Sequence, residues 1–339
     1  MRGAERPHFQ ATCMNSMSPT VSLAAKAAVV IAVLAVSLVL WGPAMEYPTT
    51  VSRVQSSGGG DVVLTLDKSV RQVTAAAIDG FVDWLTVKGG WLFDGLSDFV
   101  THVLVFISRS LLWIPWPALV LLLALFAYGV GHWPLLAFTL GALLFIGFMG
   151  LWNQMIDTIA LMVVAVAISV LIGFPTGVVS ARNPWVDNIL RPVLDAMQTM
   201  PSFVYLLPGI LFFGLGKPAG IFATIIYSVP PVIRLTSLGI QQVSPAAIEA
   251  TQAFGSSPLQ TLTKVQIPMA LPTIMAGVNQ TTMMALAMVT IASMVAAGGL
   301  GDTVLRALQK NEPGNGMIAG LAIVFLAILL DRMTQAVVK

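Results

Sequence analysis

The residues whose types and spacing could do work lie in the C-terminal half. One stretch is punctuated throughout: Ser244-Pro245 ahead of Ala246-Ala247-Ile248-Glu249-Ala250-Thr251-Gln252-Ala253-Phe254, then Gly255-Ser256-Ser257-Pro258, running on to Pro268. Ser244 can cap a helix that begins at Pro245, Gly255 can close it in the left-handed conformation, and Ser257-Pro258 can start a second helix. Pro268 and Pro272 should stop that second helix and lead into the next apolar segment. Two short helices meeting at a glycine elbow form a rigid knob suited to docking on a partner and passing force to it. They also form an ordinary linker between two longer helices, and local physics leaves the two readings level.

Beyond the knob, Asn279, Gln280, Thr281, Thr282, Thr290 and Ser293 are polar residues in an otherwise apolar stretch. Such groups either line a passage for a polar solute or hydrogen-bond neighbouring helices, each bond contributing about 1 kcal/mol. Met283, Met284, Met288 and Met294 on the same stretch read as adaptable packing. Pro208 and Pro230-Pro231 should bend or interrupt their segments, and Gly298-Gly299-Leu300-Gly301 should break a helix. Such breaks are either places to build a gate or kinks tolerated between packed helices.

Bond-making chemistry has no constellation here. There is no G-x-x-x-x-G-K-[ST] loop to cradle phosphates, and the Gly216-Lys217 pair is followed by Pro218. His8, His102 and His132 are far apart in sequence, and the single Cys13 excludes an intramolecular disulfide and a multi-cysteine metal site. The expectation is therefore no catalytic residue, no metal and no cofactor bound by this chain.

Composition says what scaffold must position these pieces. Of 339 residues, 9% are Asp, Glu, Lys or Arg and 57% are hydrophobic, too few charges to clothe a water-soluble surface. A net charge of +2 with scattered basic residues gives no nucleic-acid partner. Stretches free of charge cover 27–45, 110–156, 158–181, 196–216, 218–233, 265–301 and 313–330. Most can supply the roughly 20 helical residues that cross a hydrocarbon core.

The fold class is thus an all-α integral membrane protein with about eight transmembrane helices. They fall near 25–41, 117–131, 133–151, 156–179, 202–216, 219–234, 273–297 and 316–332. Residues 1–45 make an N-terminal tail and first anchor; the run is long for a secretory leader and Gly42-Pro43-Ala44-Met45 is a poor cleavage site. Residues 46–116 make an extracytoplasmic or interfacial segment, where 70–84 and 91–113 read as two amphipathic helices lying in the interface plane. Residues 117–151 make two accessory spans, and 152–339 a core that carries the cytoplasmic loop 235–268. With both termini in the cytoplasm, Arg182, Arg191, the loop from Arg234 to Lys264, Arg332 and Lys339 satisfy the positive-inside rule; Lys217, Arg306 and Lys310 oppose it.

Glu249-Ala250-Thr251, Gly255 four residues after Thr251 and Pro268 thirteen after that glycine resemble the EAA signature of binding-protein-dependent ABC importer permeases. Thr251 stands where the family has its second alanine, and Val265 where it has isoleucine. Further stretches are similar to the permease subunits of glycine betaine/proline betaine importers, the ProW-like branch. They are Arg191-Pro192-Val193-Leu194-Asp195 through Tyr205, Pro230 to Thr236, Leu271 to Thr281 and Leu329 to Val337. The resemblance runs from about Val70 to the C-terminus and is most specific after Asn153.

That resemblance implies a type I importer (MetI-like) core in which Glu249, Ala250, Thr251, Phe254, Gly255 and Pro268 couple to a separate ATPase that binds ATP and Mg. It implies two copies of the permease, two ATPases, surrounding lipid, a prokaryotic inner membrane and a separate extracytoplasmic binding protein, since the chain closes at Lys339 after its last span. The implied solute is glycine betaine or a relative such as proline betaine, choline or carnitine, serving osmoprotection. An ion-gradient-driven secondary transporter is the alternative; it would usually carry carboxylates or histidines in mid-membrane and a repeat of hydropathy between halves, and neither is visible. A channel or structural subunit has no need of the knob.

Overall fold

A computed structural model describes the backbone of residues 53–56, 62–65 and 70–337 and the side chains of 72–335. The apolar run at 25–41, with Cys13, His8 and Lys339, lies outside these residues. The chain divides into two compact units, Met1–Phe81 and Val82–Lys339. In the first, β1 (Arg53–Ser56) pairs antiparallel with β2 (Val62–Thr65), Arg53 opposite Thr65. This hairpin is the one sheet among the described residues.

Helix α1 spans Val70–Trp113. The two interfacial helices expected here are one continuous helix of 44 residues. Gly89 and Gly90 fall inside it, and glycine costs a helix only about 1 kcal/mol, far less than a proline would. Nor does its second half lie apart: Val100 and Leu104 are buried in the core, and Phe93 stacks on Phe212 with centroids 4.7 Å apart. By length and composition α1 can cross a membrane.

Helix α2 (Trp116–Phe148) turns at His132, where φ is 58° and ψ −155°. Trp116 and Val120 share one cavity wall with Leu143, Leu144, Gly147 and Phe148, and Tyr128 meets Trp133 at 5.3 Å. A straight helix of this length would hold its ends about 48 Å apart at 1.5 Å per residue. The element is therefore a hairpin of two apolar arms, as the paired spans at 117–131 and 133–151 anticipate. Among the described residues, six helices are long and apolar enough to cross a membrane, or seven with the bent pair at 184–213 taken as one span, and the first expected span, 25–41, lies outside them.

The core is α3 (Trp152–Arg182), α6 (Lys217–Gln241), α9 (Ile267–Ala292) and α11 (Pro313–Val337). Lipid offers no hydrophobic drive between helices, so small residues let backbones approach. Gly177 of α3 faces α6 so closely that a Cβ there would sit 2.6 Å from Thr236 Cβ. Gly239 of α6 meets Thr273 of α9, and Gly277 of α9 meets Leu235 of α6, each at 3.0 Å on the same construction. Helix α6 is thus clamped on two sides, and it runs through buried Pro230 and Pro231 without interruption. Those prolines make no break, because close neighbours stabilise the helix around them.

The span expected at 202–216 is built differently. Helix α4 (Pro184–Thr199) meets the segment from Ser202 through α5 (Leu206–Phe213) at 109°. Pro201 drives Met200 out of the helical region, to ψ 138°, and the chain turns there. At the opposite end of the bundle from the knob, a 3-10 turn at Ser293–Val295, left-handed Ala296 and positive φ at Gly298 and Gly299 end α9. Helix α10 (Leu300–Gln309) follows, its first amide, on Leu300, donating to Thr158 Oγ1 at 2.8 Å. The helix break expected at 298–301 is present.

Candidate functional site

Helix α7 (Pro245–Ala253) and helix α8 (Pro258–Thr261) form the knob. Ser244 takes the cap position with φ −51° and ψ 127°, but its side chain makes no cap bond; its carbonyl accepts from Ala247 N at 3.0 Å. The other end closes as the sequence requires. Gly255 sits at φ +77°, its amide donates to Gln252 O at 2.9 Å, and Ser256 N donates to Thr251 O at 3.1 Å. These are the paired bonds of a Schellman end. Ser257 then opens α8 with a reciprocal capping box: Gln260 N donates to Ser257 Oγ, and Ser257 N to Gln260 Oε1 at 2.9 Å.

Pro268 and Pro272 do not stop the second helix. One wide turn, Leu262–Gln266, with Ile267 N donating to Leu262 O, joins α8 to α9. The wider register takes up the strain that Pro268 would impose on the carbonyl one turn before it. Helix α8 therefore runs on into α9 without a break, and α7 meets that element at the Gly255 elbow.

The knob's inner side is anchored by Ile248, packed against Ile240, Val243, Leu262, Ala270 and Ile274. Its outer side is bare: Glu249, Ala250 and Gly255 are exposed, and Phe254 and Leu259 keep 91% and 63% of their surface. Thr251 is half-buried, its hydroxyl bonded to Ile248 O at 2.8 Å. Glu249, Ala250, Phe254 and Gly255 thus share one exposed surface, with Pro268 exposed on α9 behind them.

A polar chain that sequence reasoning missed ties α3, α4 and α6 to one another at the end of the bundle that carries the knob. Gln241, last in α6, donates to Ser237 Oγ at 3.1 Å, and Ser237 Oγ to Ser180 Oγ of α3 at 3.3 Å. Ser180 donates in turn to Asp187 Oδ1 of α4 at 2.9 Å. Arg191 pairs with Asp187 at 2.5 Å, and Arg234 with Asp195 at 2.6 Å. The available signal was periodic: Ser180 lies one turn beyond Gly177 and Ser237 beside Thr236, at the closest approach of α3 and α6.

The polar residues of α9 are not gathered along one line. Asn279 donates to Asp331 Oδ1 of α11 at 3.1 Å and accepts from the Thr334 hydroxyl. Thr282, Thr290 and Ser293 bond carbonyls of their own helix at 2.8–3.0 Å. Thr281 Oγ1 is buried without a partner, and Gln280 alone of the set is exposed. Met288 is fully buried, as packing requires, while Met294 keeps 62% of its surface. Of the six polar residues, Asn279 is the one that bonds a neighbouring helix among the described residues.

The inner membrane component of binding-protein-dependent transport systems is the family whose pattern matches residues 169–339. The glycine betaine/proline betaine transport system permease protein ProW of Escherichia coli (strain K12) is 47% identical over 256 residues, covering 76% of this chain and 72% of that one. The glycine betaine transport system permease protein OpuAB of Bacillus subtilis (strain 168) is 45% identical, covering 80% and 96%. Among solved structures, an inward-facing conformation of the MetNI methionine ABC transporter superposes with a TM-score of 0.51 at 22% identity, covering 56% of this chain and 94% of that one.

Proposed function

The chain belongs to the inner membrane components of binding-protein-dependent transport systems and is a multi-pass, ProW-like permease of an ATP-driven importer; we propose that its solute is glycine betaine or a close quaternary ammonium relative. The family works with an ATPase and a substrate-binding protein, and translocation, not covalent catalysis, is the permease's part. The finer reading rests on one observation, the exposed face of α7 on a knob that runs on into α9 and packs through Ile248 against Ile240 of α6.

In this reading, the ATPase receives Glu249, Ala250 and Phe254 in a groove, with Gly255 setting the angle of the elbow. ATP and Mg bind on that subunit and no cofactor binds here. Two permease copies face each other in lipid, each with its own ATPase, and the knob and the C-terminal end of α11 lie in the cytoplasm. ATP-driven closure of the ATPase pair brings the two knobs together. Because α8, the wide turn and α9 are one rod, that motion reaches the spans directly and opens the solute path inward. Selection among glycine betaine, proline betaine, choline and carnitine falls mainly to the binding protein, through cation–π attraction to aromatic rings.

The test is ATP-dependent uptake of radiolabelled glycine betaine, competed by choline, in vesicles holding this chain with its ATPase and binding protein. Uptake lost on omitting the ATPase supports the reading. Uptake sustained by an ion gradient alone replaces it with secondary transport.

A further inference from the structure

Behind α7 lies a second, polar surface that the exposed knob does not account for. A half-open cavity is walled by Arg182, the last residue of α3, by Gln241, Ile248 and Gln252, and by Thr261 and Gln266 beyond the elbow. Arg182 is exposed, and it makes no ion pair or hydrogen bond among the described residues. Every other arginine around the loop end of α4 and α6 has a carboxylate: Arg191 has Asp187 and Arg234 has Asp195. Thr261 is only 5% exposed, and its Oγ1 is buried with no hydrogen-bond partner. No carboxylate stands in the wall.

The cavity therefore offers donors in excess: a guanidinium with five N–H groups, the amides of Gln252 and Gln266 and an unfilled hydroxyl. What fits is an acceptor with negative charge, and a planar carboxylate matches the guanidinium fork. The walls also say where it comes from. Gln252 is on α7 itself, one turn from exposed Glu249 and two residues from Phe254, so a protein that covers the knob's outer side reaches the mouth of the cavity.

We propose that Arg182 receives an acidic side chain of the ATPase, making a second contact behind the coupling helix that fixes its orientation as well as its position. The proposal rests on the docking role given above to α7. A side chain held between the end of α3 and α7 would let the ATPase move both together, where the outer surface alone moves α7.

The experiment uses an Arg182→Lys permease, assembled with its ATPase and binding protein in vesicles and treated with a carbodiimide. This reagent joins an amine to a carboxylate already in contact. The charge at the end of α3 is kept, so helix stability is not the variable. The expected result is a permease–ATPase product, absent with the unmodified chain, that maps to position 182. A companion Ala250→Cys chain on a Cys13→Ser background, with an amine-and-thiol reagent, reports docking of α7 by itself. Cross-linking through position 250 but not 182 overturns the Arg182 contact and leaves the docking reading standing; cross-linking through neither removes both. Arg182→Glu should also weaken ATPase binding at low salt at least tenfold, with Arg182→Gln between; equal binding by all three chains overturns the proposal.

Discussion

Lys217 Nζ, at the start of α6, lies 3.1 Å from Asp157 Oδ1 at the start of α3, and Ser108 of α1 also donates to that carboxylate oxygen at 3.3 Å. The pair sits at the end of the bundle opposite the knob and neutralises one of the basic residues that oppose the positive-inside pattern. Both side chains are about one-third exposed, so the pair contributes at most about 1 kcal/mol. Asp157→Ala should lower the melting temperature of the purified permease slightly, and a Lys217→Asp, Asp157→Lys exchange should restore it. A large loss in Asp157→Ala with no recovery on exchange would mean that the site has another role.

Gly177 is a sharper test of the core. A Cβ there would lie 2.6 Å from Thr236 Cβ and 2.7 Å from the carbonyl oxygen of Ile233. Neither is the free end of a flexible side chain, so α3 and α6 must separate. Overpacking of this kind costs roughly 1–3 kcal/mol. Gly177→Ala should therefore lower the melting temperature clearly, and adding Thr236→Ala should not rescue it, because the Cβ and the carbonyl remain. Recovery in the double variant would contradict the geometry.

Gly255 faces a different constraint. A Cβ there meets nothing within 4 Å, but φ is +77°, where a side chain is strained by roughly 1–2 kcal/mol. Gly255→Val should re-aim the elbow and abolish uptake while the chain still inserts and melts almost normally. Gly255→Asn, tolerated in the left-handed region, should keep most of the uptake. Equal uptake by both variants and the parent would remove the elbow from the mechanism.

The elbow could be read from sequence because its signals are local. A proline at the first helical position, a glycine at the left-handed position and a Ser-Pro start each fix backbone within a few residues. The break at Gly298 was legible for the same reason, and the spans at 117–131 and 133–151 leave His132 between them. Long-range relationships were not. Nothing near Ser180 states that Ser237 will lie 3.3 Å away, and nothing near Asn279 states that Asp331 will accept its hydrogen bond. Pro268 misled because a single wide turn can absorb a proline, and the pattern of residues does not announce that turn. Helix α1 misled because its spaced charges suit an interface, while Val100 and Leu104 find a core only once the other helices assemble.

Asn279 decides between the two uses open to a polar side chain in a span. Its amide donates to Asp331 and its oxygen accepts from Thr334, and Gln335 joins Asp331 at 2.8 Å, so α9 and α11 are fastened at this level. Interhelical bonds in membranes contribute about 0.6 kcal/mol on average and up to about 1.7. Asn279→Ala should therefore lower the melting temperature modestly, and Asp331→Asn, which keeps the shape and loses the charge, should do less. If the role is this tie alone, uptake measured at saturating binding protein should retain its half-saturating solute concentration in both variants. Gln280 is one residue on and exposed, with no place in the tie. Gln280→Ala should leave the melting temperature unchanged, and any shift in solute concentration dependence belongs to it. A shift of more than about fivefold in Asn279→Ala, with stability intact, would instead place Asn279 on the solute path.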